Sequence, residues 1–301
     1  MIKIKNISKS FGATKALENI SLEVNKNELF GLIGPDGAGK TTLMRILTTL
    51  LLPNTGSASM NGLDVIKDFK GIRKSVGYMP GRFSLYQDLS VEENLHFFAT
   101  VFNTTIEENY DLIKNIYSHI EPFKKRLAGQ LSGGMKQKLA LSCALIHKPD
   151  ILILDEPTTG VDAVSRKEFW EMLKNLQKKD ITIVVSTPYM DEADLCDRIA
   201  LIQSGKILDV DTPKSVVTKF GRRILAVKAK ETYRLINDLR SFQKAESVYA
   251  FGQFIHFTAI DDDIEVTEME NFLQKKNHED YFVEEIEPGI EDVFMGLMEK
   301  S

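Results

Sequence analysis

Gly34-Pro35-Asp36-Gly37-Ala38-Gly39-Lys40-Thr41, with Thr42 after it, decides how the rest of the chain is read. The stretch has the spacing G-x-x-x-x-G-K-[ST]. Glycines so placed let successive backbone N–H groups point inward at phosphate oxygens, and a helix starting at the lysine adds its positive end. Lys40 is then set to reach the β- and γ-phosphates, and the Thr41 hydroxyl to hold Mg²⁺. Average residue frequencies give such a match by chance in about one chain of this length in a hundred. The context makes chance a poor explanation. Leu29-Phe30-Gly31-Leu32-Ile33 is an apolar run too short for a helix and reads as a buried strand entering the loop. From 41 to 52 the apolar positions repeat helically, until Pro53-Asn54-Thr55-Gly56 stops them. ATP with Mg²⁺ is the expected ligand.

A second stretch, Ile151-Leu152-Ile153-Leu154-Asp155-Glu156, is a buried apolar strand that ends in two acids. Carboxylates at the C-terminal end of a parallel strand lie where α/β sheets bind ligands. Asp155 is expected in the Mg²⁺ shell, and Glu156 as the general base that polarises an attacking water. A third stretch, Leu131-Ser132-Gly133-Gly134-Met135-Lys136-Gln137-Lys138, opens a helical pattern. By itself it reads as a capped helix start. Serine and two glycines at a helix N-terminus also make a second anion-binding element. Two phosphate sites in one domain are redundant unless one of them serves another subunit.

Around these motifs the chain alternates strand and helix patterns, which indicates a mostly parallel sheet covered on both faces. The alternation of Ile2, Ile4 and Ile7, then Ile20, Leu22 and Val24, predicts an antiparallel N-terminal sheet. Residues from about 90 to 130 carry helical periodicity and read as an insertion between two parts of the sheet. Past a boundary near Lys219-Phe220-Gly221-Arg222, the order βαββαβ suggests a small ferredoxin-like module.

With 301 residues the chain accommodates one large α/β domain and a small appendage. A net charge of −5 argues against nucleic acid as a partner. Cys143 and Cys196 have no C-x-x-C spacing, so neither a disulfide nor a metal site is expected, and a reducing cytosolic setting fits. His96, His119, His147, His256 and His278 are scattered without ligand spacing. The N-terminal residues do not form a signal peptide pattern, and no apolar run approaches the roughly 20 residues of a membrane span. Any membrane part is expected from another chain.

The motif LSGGMKQK at 131–138, after the P-loop and with Asp155-Glu156, resembles the ATP-binding subunit of an ABC transporter over about residues 2 to 220. The resemblance implies an α/β P-loop cassette at 1–220 with a helical subdomain at about 82–145, and an accessory α+β domain at 222–301. It also implies a head-to-tail dimer with two nucleotides sandwiched between cassettes. Ser132, Gly133, Gly134 and Gln137 would then contact the partner's nucleotide, as would Asp162 in Thr159-Gly160-Val161-Asp162. Phe11 is placed like the aromatic that stacks on adenine, although a core aromatic beside a turn reads equally well. GPDGAGKTTLMRIL, SVEENL, DEPTTGVDAVSR and the terminal PGIEDVF look most like the exporter branch whose permeases are separate membrane chains. That implies an integral-membrane permease as partner and a place on the cytoplasmic face of the membrane. For the C-terminal module, dimer stabilisation, regulation and mere packing stay open. Two other readings stand beside this one: a soluble ABC-type ATPase acting on ribosomes or DNA, and a regulatory nucleotide-binding module. A single cassette without sustained heptads disfavours the first, and Glu156 disfavours the second.

Three positions depart from the family pattern. Gly81 stands where glutamine is usual, and Gln87 six residues on is not an evident substitute. Pro188 stands where histidine is usual and offers neither a side-chain donor nor a backbone N–H. Asp36 replaces the more usual asparagine, which suits anionic phosphates only if it points away. The resemblance therefore implies a chain that binds ATP well and hydrolyses it slowly at its own P-loop, paired with a more conventional cassette.

Overall fold

The structure, a computed structural model, describes residues 1–260 and 264–299. It divides into two compact units, Met1–Pro213 and Lys214–Ser301. In chain order the first unit runs β1 (Ile2–Phe11), β2 (Thr14–Val24), β3 (Leu29–Ile33), α1 (Lys40–Leu47), β4 (Thr55–Met60), β5 (Leu63–Asp64), α2 (Phe69–Ser75) and β6 (Val76–Met79). Three helices follow: α3 (Val91–Val101), α4 (Ile106–Tyr117) and α5 (Gly133–Leu145). The unit continues with β7 (Ile151–Asp155), α6 (Ala163–Gln177), β8 (Thr182–Thr187), β9 (Arg198–Gln203) and β10 (Lys206–Asp211).

The N-terminal sheet is antiparallel with the order β2-β1-β4-β5. Its register places Ile2 opposite Val24, Ile4 opposite Leu22 and Ile7 opposite Ile20. All six are buried, so the alternation in the sequence is the buried face of a hairpin. The larger sheet has the order β10-β9-β3-β8-β7-β6. Its β3, β7 and β8 are buried at every residue, as strands covered on both faces must be. Only β10, paired with β9, is antiparallel among these strands.

The parallel register fixes what meets at the C-terminal edge. Ile33 pairs with Thr187, Asp155 with Ser186, and Met79 with Leu154. The P-loop after β3, Asp155-Glu156 at the end of β7, Pro188 after β8 and Gly81 after β6 therefore emerge along one edge. The helical insertion stands between β6 and β7. Its first two helices start at capping boxes, Ser90 with Glu93 and Thr105 with Glu108, which satisfy N–H groups that a helix start leaves unpaired.

The second unit contains α7 (Pro213–Phe220), β11 (Ile224–Lys228), α8 (Thr232–Arg240), β12 (Ala245–Phe251), β13 (Phe254–Ala259), α9 (Val266–Lys275), β14 (Phe282–Ile286) and α10 (Ile290–Glu299). Its four strands form an antiparallel sheet with the order β12-β13-β11-β14. The division lies earlier than the expected boundary at 219–222 because α7 packs here. A Cβ on Gly296 of α10 would come within 2.6 Å of the Phe220 ring. Leu225, Val227, Leu235, Leu239, Phe257, Met269 and Leu273 form the core of this unit, with Phe257 fully buried. Phe257→Ala is expected to lower stability by about 3–5 kcal/mol, seen in chemical denaturation as earlier loss of this unit.

Candidate nucleotide site

The loop 34–39 turns between β3 and α1, and its last residue sets the geometry. Gly39 has φ 104°, and a Cβ there would lie 2.5 Å from the Ala16 carbonyl oxygen. Only glycine fits, so β2 can press against the loop and α1 can begin at Lys40. The Lys40 side chain is almost fully buried. Its Nζ donates to the Gly34 and Pro35 carbonyls at 2.8 and 2.9 Å and lies 3.0 Å from Glu156 Oε1. All three ammonium donors are thereby engaged. Asp36 is exposed.

Thr41, in the first turn of α1, donates through Oγ1 to Asp155 Oδ1 at 3.1 Å. Ser186 Oγ donates to the same oxygen at 2.7 Å, and the Glu156 N–H donates to both Ser186 Oγ and Ser186 O at 3.0 Å. Asp155 is buried with these partners. Glu156 sits in the left-handed region at φ 51°, a conformation that an L-residue keeps only where its surroundings hold it. Ser186 is a site residue missed in the sequence. Its signal was a Ser-Thr pair closing the apolar strand Ile183-Val184-Val185, the same form as two acids closing β7.

Tyr78 pairs with Ile153 in the sheet, on the same face as Asp155 two residues on. Burial and the nearby Asp155 charge push the Tyr78 phenol up to about 12, so it remains a neutral donor.

Gly81 lies against the backbone that carries the carboxylate pair. A Cβ there would be 2.9 Å from the Asp155 carbonyl oxygen and 3.8 Å from Glu156 Cβ. Pro188 follows Thr187, whose carbonyl accepts from the Gly34 N–H at 3.2 Å. Gly81 and Pro188 thus both border the site.

The structure brings Lys40, Thr41, Asp155 and Glu156 together. Ser132, Gly133, Gly134, Gln137 and Asp162 stand elsewhere, and no hydrogen bond or ion pair among the described residues joins them to that cluster. Ser132 caps α5, its Oγ accepting from the Met135 N–H at 3.4 Å, and Ser132 and Gly133 are exposed. Asp162 caps α6, accepting from the Ser165 N–H at 3.0 Å, and that bond holds its carboxyl below the usual range. Lys138 and Glu168, 2.8 Å apart, join the two helices. Phe11 is 52% exposed at the turn between β1 and β2, which removes the core-aromatic reading.

Among the described residues no three His, Cys, Asp or Glu side chains group as a metal cage. One hydroxyl and one carboxylate, Thr41 and Asp155, are a sparse donor set. Such a set suits Mg²⁺, which keeps several waters and takes phosphate oxygens as ligands. The residues present fit that ion better than any ion needing an all-protein shell.

The family model described as ABC transporter matches residues 17–159. The probable multidrug ABC transporter ATP-binding protein YbhF of Escherichia coli (strain K12) is 41% identical over 239 residues, covering 78% of this chain and 41% of that protein. The chain thus spans less than half the length of that relative. The Nod factor export ATP-binding protein I of Rhizobium sp. (strain N33) is 31% identical over 300 residues, covering 98% of this chain and 96% of that protein. Among solved structures, the dimeric post-hydrolysis state of the ATP-binding cassette MJ0796 bound to ADP and Pi is 26% identical with a TM-score of 0.64, covering 70% of this chain and 98% of that one. With the phosphate loop, the carboxylate pair and LSGG in place on this fold, the chain belongs to the ABC transporter ATP-binding proteins.

Proposed function

We propose that the chain is the ATP-binding subunit of an ABC exporter, working at the cytoplasmic face of a membrane with a separate permease and a second cassette. The observation that carries this reading is the alignment of Lys40, Thr41, Asp155 and Glu156 at one sheet edge, with Ser132 exposed at the start of α5. Gly34 to Thr42 cradle the phosphates of ATP, Lys40 neutralises them, and Thr41 with Asp155 hold Mg²⁺. The ion, when bound, offsets the charge that builds on the phosphates. Glu156 accepts the proton of the attacking water. Phe11 offers its exposed ring to the adenine. Ser132, Gly133, Gly134, Gln137 and Asp162 face the nucleotide held by the partner cassette.

Gly81 and Pro188 support a slow site within this chain. Removing one positioned donor from transferring charge lowers rates by about 10²–10³. The intact LSGG completes the site of a more conventional partner, so a heterodimer with one fast and one slow site fits best. Genuine absence of turnover in every pairing would favour the regulatory module instead.

An apolar groove of about 410 Å³ between β6 and the helical insertion, lined by Met79, Leu85, Phe98, Phe102 and Ala144, reaches Pro80, next to Gly81 in the chain. A permease segment seated there would press on the strand end beside Asp155. Purification of the tagged chain from native membranes tests the reading. A polytopic membrane protein is expected to accompany it, with ATP turnover above that of the chain alone. Recovery with ribosomes, or with soluble proteins only, would refute transport.

A further inference from the structure

Arg166 lies outside the cluster just described, yet it contacts three side chains of the turn after β8. Its Nη2 is 3.3 Å from Asp191 Oδ2, its Nε is 3.9 Å from Glu192 Oε1, and its guanidinium carbon lies 4.9 Å from the Tyr189 ring centroid. That turn carries Pro188. Glu192 is 2% exposed, and its other oxygen accepts from Thr187 Oγ1. Thr187 Oγ1 also accepts from the Tyr189 N–H at 3.1 Å, and the Thr187 carbonyl accepts from the Gly34 N–H. On its other side Arg166 belongs to the first turn of α6, where its N–H donates to the Asp162 carbonyl at 2.9 Å. Contacts therefore run without a gap from the first P-loop residue, through Thr187, Glu192 and Arg166, to Asp162.

Glu192 Oε1 is buried and has no hydrogen-bond partner. A buried carboxylate oxygen in that condition is costly, and the Arg166 guanidinium is the charge that compensates it. A planar fork that pairs with two carboxylates and stacks on a ring fixes orientation as well as charge.

We propose that Arg166 is a positioning residue: it locks the Pro188 turn to the start of α6, so that the placement of Asp162 against a partner cassette is transmitted to the nucleotide edge of the sheet. The proposal rests on the ATPase reading above. With Pro188 in place of a donor, nothing at that position grips a phosphate directly. The turn is then held from behind, by Arg166, rather than from the nucleotide side. Arg166 touches neither nucleotide nor metal ligand, so its loss acts on geometry. A displacement of about 1 Å in a reacting arrangement can lower a rate by about 10²-fold.

The test compares the unaltered chain with Arg166→Gln, Arg166→Lys and the double variant Arg166→Gln/Glu192→Gln. Each is purified alone and as the complex recovered from native membranes. Single-turnover hydrolysis of Mg-ATP with protein in excess gives the rate, fluorescent-ATP titration gives the affinity, and thermal melting reports folding. Arg166→Gln is expected to lower the rate at saturating ATP about 10- to 100-fold while leaving affinity within twofold. Arg166→Lys should fall between the two, because it keeps the charge and loses the fork. The double variant should remain slow, since it removes the charge imbalance without restoring the tie. A double variant with the rate restored would show that Arg166 only neutralises Glu192, which overturns the proposal. An unchanged rate in Arg166→Gln, or a loss of affinity in step with rate and melting temperature, would overturn it as well. If the unaltered chain hydrolyses nothing in either preparation, the ATPase reading itself fails, visible before any variant is made.

Discussion

Lys40→Ala is expected to raise the dissociation constant for ATP by about 10²-fold or more, measured by titration with a fluorescent ATP analogue. Hydrogen bonds to charged groups contribute about 1.5–3 kcal/mol each, and Lys40 is placed to make them to two phosphates. The same change acts on the protein itself. Lys40 now donates to Gly34 O and Pro35 O and pairs with Glu156 Oε1. Without it the two carbonyls lose a buried donor and the carboxylate loses its counter-charge. Stability should fall by about 1–3 kcal/mol, read as a lower denaturation midpoint. Unchanged ATP affinity would mean that nucleotide does not bind at this loop.

Pro188→His is expected to raise the turnover of the purified chain at saturating Mg-ATP by about 10- to 100-fold, with little change in affinity. The position follows Thr187 at the edge where Asp155 pairs with Ser186, so an imidazole there would supply a donor that proline cannot. Gly81→Gln should help less. Its Cβ would press to 2.9 Å from the Asp155 carbonyl, and the loop must shift before the amide can be used. If Pro188→His leaves turnover where it was, the missing donor is not what slows the site.

The site's main residues were legible because each belongs to a local pattern. A glycine loop between strand and helix and acids closing an apolar strand are written in consecutive residues. The hairpin of β1 and β2 was legible for the same reason, through the alternation of Ile2, Ile4, Leu22 and Val24. The residues that hold the site were not. Ser186 reaches Asp155 and Glu156 across the sheet, and Tyr78 is set opposite Ile153 of β7, through pairings that no local periodicity encodes. The same holds for β4 and β5: β4 is fixed by pairing with β1, and the two-residue β5 by pairing with β4, rather than by their own composition. Under the proposed dimer, Ser132 and Asp162 would each serve two purposes. Each caps a helix within the chain, and each is exposed toward whatever lies beyond it.

The C-terminal unit was legible in its element order but not at its start. α7 opens at Pro213 and runs to Phe220, and the glycine that follows it at 221 drew the expected boundary to the far end of the helix rather than to its start. Packing of Phe220 beside Gly296 assigns that helix to the second unit.

Slow hydrolysis at a P-loop that is filled with ATP is the property on which the proposed asymmetry rests. Turnover of Mg-ATP by the purified chain alone, at ATP concentrations shown by parallel titration to saturate it, tests that most directly. Full occupancy is expected, with turnover well below the ~1 s⁻¹ floor of ordinary enzymes, rising when a second, conventional cassette is added. Brisk hydrolysis by the chain alone, abolished by Glu156→Gln, would contradict it.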